Sequence, residues 1–194
     1  VKDDKHSPFF RKENDRRFSY EDVCCVKCED TYYLFCNQWH WEDMLNPMVC
    51  GVFLAISKDL LHWEKKGIVF PHVKRIHRNP VVLQNPQNEA IRVNGKFVMY
   101  INDRLMGYSE DMIHWESKEI EYLWPGGEGC FALTDHNPDK PEEIVLFTGG
   151  HHTGHFYAIG EVLFSRTNPE KPLNYLPRPV LSANPKLPYE NGYS

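Results

Sequence analysis

An eight-residue pattern occurs twice in this chain, identical at five positions. SKDLLHWE, Ser57–Glu64, returns as SEDMIHWE, Ser109–Glu116, 52 residues further on. Each copy follows a strand-like run, Gly51–Ile56 and Leu105–Tyr108, and precedes another, Gly67–Phe70 and Lys118–Tyr122. A degenerate third copy, SRTNPEKP, lies at Ser165–Pro172 after the run Tyr157–Phe164. Between the copies stand aromatic and β-branched segments, Thr31–Cys36, Lys96–Ile101 and Glu143–Phe147, the first two led in by Asp30-Thr31 and Asn94-Gly95. Asn-Gly suits the positive-φ turn that matches the twist of a hairpin. No segment holds a 3.6-residue apolar period over three turns, so the sequence predicts an all-β chain.

Four strands in about 50 residues is the size of a propeller blade. The 194 residues hold about 3.7 such units. The last residues, PYENGYS, read as the opening of another unit. The expectation is one β-propeller domain over residues 1–194, five-bladed, with about four blades here and the C-terminal end incomplete; a β-sandwich is the alternative.

Composition narrows the function classes. Lys and Arg number 22 against 27 Asp and Glu, a net charge of −5, and no basic face stands out. Nucleic-acid binding is therefore not expected. No apolar run reaches the ~18–20 residues of a membrane span. Of the six cysteines, Cys24, Cys25 and Cys28 cluster while Cys36, Cys50 and Cys130 are scattered. Cys25-x-x-Cys28 lacks the second pair that a structural zinc site needs, so the thiols read as small hydrophobes and no metal or cofactor is expected. Reduced thiols without a visible signal peptide point to the cytoplasm; the chain opens on Val1, and a removed leader would instead mean the periplasm or secretion.

The repeat has a chemical phase. Acidic residues stand at or before the presumed first strand of each unit: Glu21-Asp22, Glu89, Glu128 and Glu190. First strands of blades line one central channel, so these carboxylates converge, with Glu21 expected on the opposite face of its strand from Asp22. Two converging carboxylates are what glycoside cleavage uses, one to protonate the leaving oxygen and one to activate water. After the second strand of each unit come Asn37-Gln38-Trp39-His40-Trp41, Asn102-Asp103-Arg104 and Gly149-Gly150-His151-His152. Amide, imidazole and indole groups at matching turns suit the hydroxyls and CH faces of a sugar. His151, His152 and His155 lie on a loop without a helix to align them as metal ligands. Trp63 and Trp115 recur at the repeat period and read as core, with His62 and His114 expected to satisfy turn backbone.

The SKDLLHWEKKGIVF repeat, the Tyr20-Glu21-Asp22 strand followed by DTYYLF, the VNGKFVMY hairpin and the stretch from GGEGCFAL to PYENGYS together resemble the five-bladed propeller glycosidases. The nearest resemblance is to glycoside hydrolase family 130, the β-mannoside phosphorylases and β-mannosidases, from about Phe18 to the end. The resemblance implies that Asp22 is the general acid, donating its proton directly or through a sugar hydroxyl. The family usually follows that aspartate with Pro-Arg, where this chain has Val23-Cys24. Its phosphorylases hold phosphate with Arg and Lys; at those places this chain has Glu89, Asn102-Asp103 and Glu128, while Arg78 and Arg104 remain within reach of the pocket. Carboxylates repel a dianion, which favours hydrolysis.

The expectation is an inverting glycoside hydrolase of β-mannosides or related oligosaccharides, with Asp22, Glu89 and Glu128 catalytic. Asn37, Gln38, Trp39, Arg78, Asn102, Asp103, His151, His152 and Glu190 are expected to bind substrate. The alternatives are a phosphorylase using inorganic phosphate and a non-catalytic carbohydrate-binding propeller; a kelch- or WD-type interaction propeller lacks its signature dipeptides here.

Overall fold

The computed structural model describes residues 18–40, 49–102, 104–120, 128–134, 137–152 and 156–182. Among these there is no helix, and the strands form three antiparallel sheets in chain order. The first sheet is β1 (Phe18–Cys28), β2 (Thr31–His40), β3 (Val49–Ser57) and β4 (Glu64–Ile68), each paired with the next. The second runs β5 (Val81–Val82), β7 (Lys96–Ile101), β8 (Leu105–Ser109) and β9 (Trp115–Glu119), with β6 (Arg92–Val93) also on β7. The third runs β10 (Glu128–Thr134), β11 (Glu143–His152), β12 (Phe156–Ser165) and β13 (Asn168–Tyr175), with β14 (Leu181–Ser182) also on β12.

The hairpins form where the turn residues allow them. Asn94 and Gly95 both take positive φ, 53° and 82°, and close β6 onto β7. The expected segments Thr31–Cys36, Lys96–Ile101 and Glu143–Phe147 fall inside β2, β7 and β11.

One strand lies elsewhere than the sequence suggests. The second sheet begins not at Ala90–Val93 but at β5, where Val81 faces Tyr100 and Val82 faces Met99. Residues between β5 and β6 leave the edge in a tight loop: Asn85 Oδ1 accepts from the backbone of Gln87 and Glu89, and Asn85 N–H donates to Glu89 O. Such side-chain-to-backbone bonds favour turns over ladder pairing. Although only two residues long, β5 serves two interfaces, because successive side chains point to opposite faces. Val82 packs with Val26, Phe35 and Leu54 of the first sheet and with Met99, Met112 and Trp115 of its own. Val81 packs with Tyr100, Ala132, Leu146 and Phe164 across the interface with the third sheet.

The repeated turns are built alike. In Ser57–Glu64, Ser57 Oγ accepts from the backbone of Asp59 and Leu60, and Asp59 Oδ1 accepts from that of Leu61 and His62. His62 Nδ1 meets Asp59 Oδ2 at 2.7 Å, and Trp63 Nε1 donates to Leu60 O. Ser109, Asp111, Met112, Ile113, His114 and Trp115 reproduce every one of these bonds. Each histidine thus satisfies the turn's aspartate rather than its backbone. Leu60 and Met112 share a left-handed φ of 64° and 67°. Trp115 is buried edge-on against Phe35 of the first sheet, centroids 5.6 Å apart. Trp63 is only half-buried, beside Cys36, Phe53 and Ala55 on the other face of that sheet, which corrects the expectation of two equal core residues.

Candidate functional site

The site begins with a fault in β1. Glu21 pairs with Asn37 and Cys24 with Phe35, so Asp22 and Val23 together oppose the single residue Cys36. Asp22 sits in this bulge at φ 50°, a conformation that Asp adopts more readily than most side chains. The bulge cancels the alternation of the strand. Glu21 Oε2 accepts from Trp39 Nε1 at 3.1 Å, and Asp22 Oδ2 accepts from Asn37 Nδ2 at 2.5 Å. Asn37 and Trp39 are two apart on β2 and share a face, so the two carboxylates converge where opposite faces were expected.

A second element closes on the first. Asn79, left-handed at φ 56°, donates its backbone N–H to Asn37 Oδ1 at 2.7 Å. Arg78 N–H donates to Asn102 Oδ1 at the end of β7, and Asn102 N–H returns a bond to Arg78 O. The Arg78 guanidinium carbon lies 6.0 Å from the centroid of the Trp39 ring. Burial pushes the Cys50 thiol up to about 12, with Arg78 opposing and Glu21 and Asp22 adding, so one buried thiol senses all three charges and stays unreactive. Burial likewise lowers the pKa of His77, which faces the edge of Phe70; its Nδ1 meets Arg75 O at 2.9 Å.

The expected site residues divide. Asp22, Asn37, Trp39, Arg78 and Asn102 come together. Asn37 is 0% exposed with both ends of its amide engaged by protein, and Trp39 is 9% exposed, so neither offers a face to a sugar. Asn102 is buried too, its carbonyl spent on Arg78 N–H. Gln38 is half-buried on the opposite face of β2 and donates to Tyr20 Oη. These four support the site's framework instead.

Glu89 is a correction. It forms a parallel bridge with Lys27, five residues along β1 from Asp22, and accepts from Asn85 Nδ2. At ~3.3 Å per residue the two backbone positions stand roughly 16 Å apart, far for carboxyls that an inverting pair holds ~6.5–9.5 Å from each other. Arg78 and Asn79, immediately before β5, stand in the place assigned to Glu89. Gln84 bridges Leu133 in parallel, which joins the start of the second sheet to β10, the strand that begins at Glu128. Glu128 pairs with Gly149, and His151 and His152 follow along β11 opposite Tyr157 and Phe156. Asp103 and Glu190 lie outside the described residues. Among those residues no group of His, Cys, Asp and Glu could hold a metal.

Sequence reasoning missed Glu21's place beside Trp39, Asn79 and Cys50. For Asn79 the one signal in the sequence is the readiness of Asn to take positive φ.

No family model matches the chain. It is 27% identical over 187 residues to a 1,2-β-oligomannan phosphorylase of a Thermoanaerobacter species, covering 89% of this chain and 56% of the relative. A glycoside-hydrolase-like structure from Parabacteroides distasonis superposes with a TM-score of 0.71 at 23% identity, over 92% of this chain and 60% of that one. A structure from the GH130 family of mannoside phosphorylases, which contains hydrolases that target β-1,2 mannosidic linkages, gives 0.70 at 19% identity, over 89% and 56%. The resemblance to glycoside hydrolase family 130 is thereby borne out, and the all-β fold is shared. The chain spans little more than half the length of these relatives.

Proposed function

We propose that the chain cleaves β-mannosides or related oligosaccharides by a single inverting displacement, with Asp22 as proton donor and water as acceptor. The observation that carries this reading is the Asp22 bulge. It turns a carboxyl out of the strand ladder and bonds it to a fixed amide, on the face of β2 where Trp39 donates to Glu21 and meets Arg78. It opposes Cys36 within β2, next to Asn37 and Trp39 of the segment expected to rim a sugar pocket. Glu128 is the base that remains once Glu89 is removed. The accompanying fold reading is a five-bladed propeller, supported by three antiparallel sheets in chain order, each packed on the one before.

Phosphorolysis is the second reading, and Arg78 favours it. The repulsion argument for hydrolysis rested partly on a carboxylate before the first strand of the second sheet, and a guanidinium stands there instead. The 1,2-β-oligomannan phosphorylase similarity points the same way.

Incubation with β-1,2-mannobiose, with and without inorganic phosphate, separates the two. Mannose in both tubes, first released as the α-anomer, supports hydrolysis; mannose 1-phosphate only where phosphate is present supports phosphorolysis. Sugar binding with neither product returns the chain to the carbohydrate-binding class. Asp22→Asn should lower turnover at least ~10²-fold with the fold intact, the usual worth of a general acid.

A further inference from the structure

We propose that Asn37 is a positioning residue that fixes which oxygen of Asp22 carries the transferable proton. The inference rests on the reading of Asp22 as the proton donor. An asparagine amide can in general be turned end for end, and its orientation then has to be argued from its partners. Here one partner leaves no choice. The group facing Asn37 Oδ1 is the backbone N–H of Asn79, which can only donate. Oδ1 must therefore lie on that side, and Nδ2, which has no lone pair to offer, must face Asp22. The Asp22 oxygen it meets, Oδ2, has to present a lone pair. A carboxyl hydroxyl accepts more weakly than the carbonyl oxygen, so a proton on Asp22 is thereby favoured on Oδ1 over Oδ2.

The rest of the geometry holds this order in place. Asn37 is wholly buried, so no water competes for either end of the amide. Asn79 keeps its N–H aimed by a left-handed backbone, and its own Oδ1 has no hydrogen-bond partner, so it is the main chain of Asn79 that does the orienting. Asp22 comes off the ladder at the bulge, and Oδ2 is the oxygen that meets Asn37 Nδ2. Asn37 thus acts through Asp22 and touches no substrate.

General-acid assistance matters in proportion to how poor the leaving group is, which gives a readout that simple damage to the fold does not imitate. Two substrates are compared with phosphate present, so that either acceptor can serve: β-1,2-mannobiose, whose leaving alcohol needs a proton, and 2,4-dinitrophenyl β-mannoside, whose phenolate does not. Asn37→Ala should lower kcat on mannobiose at least ~10-fold, part of the ~10²–10⁴ that such assistance is worth, with less than about a threefold change on the aryl mannoside. Asp22→Asn should show the same split, more deeply. If Asn37→Ala does not fold, Asn37→Asp keeps an acceptor for Asn79 N–H at the same volume and should show the split, since a second carboxyl competes for the proton. Equal losses on both substrates, or no loss on either, overturn the positioning role while leaving Asp22 as donor. Cleavage of neither substrate by the unaltered chain overturns the donor reading and this inference with it.

Discussion

The turns at Ser57–Glu64 and Ser109–Glu116 match bond for bond yet differ in what covers them. Met112 is fully buried and Trp115 is 5% exposed against Phe35, whereas Leu60 and Leu61 are 47% and 69% exposed and Trp63 is half-buried. Identical hydrogen bonding under such different burial shows that the Ser-x-Asp pattern is sufficient to make the turn. The stabilising energy comes from elsewhere, from the sheet on which the turn is seated. The third repeat makes the point in reverse. It has lost the aspartate and tryptophan, but Tyr100 Oη still donates to Pro169 O, and Tyr108 Oη and Lys118 Nζ to Glu170. Its seat on the second sheet survives although Thr167 stands where the aspartate was, with Thr167 N–H still donating to Ser165 Oγ.

The widest gap should come from the indoles. Trp115→Ala removes a packed core ring and should cost about 3–5 kcal/mol by urea denaturation, while Trp63→Ala should cost under about 1 kcal/mol. Equal costs would mean that the outer face of the first sheet is covered in solution. The left-handed residues come next. Met112→Gly should lose about 2 kcal/mol or more of burial, whereas Leu60→Gly should stay within about 0.5 kcal/mol, relief of strain offsetting the added chain entropy. Third is Gly107, the counterpart of Ala55 in the earlier repeat. A methyl there would stand 2.8 Å from Phe70 Cζ and 3.1 Å from Trp115 Cε3, so Gly107→Ala should cost about 1–3 kcal/mol. Ala55→Gly should cost about 0.5–1 kcal/mol, read from the same denaturation curves.

Acid should separate the turns least. Hydrogen bonds from His62 and the backbone hold Asp59 well below the usual carboxylate range; at Asp111 partial burial opposes the shift, but His114 and the backbone prevail. A depressed native carboxyl lends stability that is complete above the unfolded value of about 4 and is lost as pH falls through the folded one. Both turns should therefore loosen below about pH 4, and only Trp115 has a buried environment to lose. The difference between the emission of the unaltered chain and of Trp115→Phe, which cancels the other four tryptophans, should shift red between pH 4 and pH 2; the corresponding difference for Trp63→Phe should move little.

What could be read in advance follows the same division between local and distant causes. The hairpin around Asn94-Gly95 and the cores of β2, β7 and β11 were legible because turn chemistry and β-branched runs act within a few residues. β5 was not, since two valines between Pro80 and Pro86 carry no alternation, and their placement depends on what lies on either side of them. Glu89 was misplaced for that reason. Asp22 was singled out, but FSYEDVCCVKC contains nothing that announces an extra residue opposite Cys36, so the convergence of Glu21 with it was hidden. Asn37 resembles a rim amide in sequence; only the approach of Asn79, 42 residues away, makes it a buried strut.

The backward seating of the turns also sets a timetable. A polypeptide leaves the ribosome N-terminus first, at ~5–20 residues per second. The second sheet finds the first already made, and the third finds the second, so no sheet waits for a later one to receive its turn. The leading face of each sheet stays bare only while one further repeat of about 52 residues is synthesised, roughly 3–10 s. For a protein rich in β-strands, in which exposed apolar faces invite aggregation, this limits the exposure that accompanies synthesis.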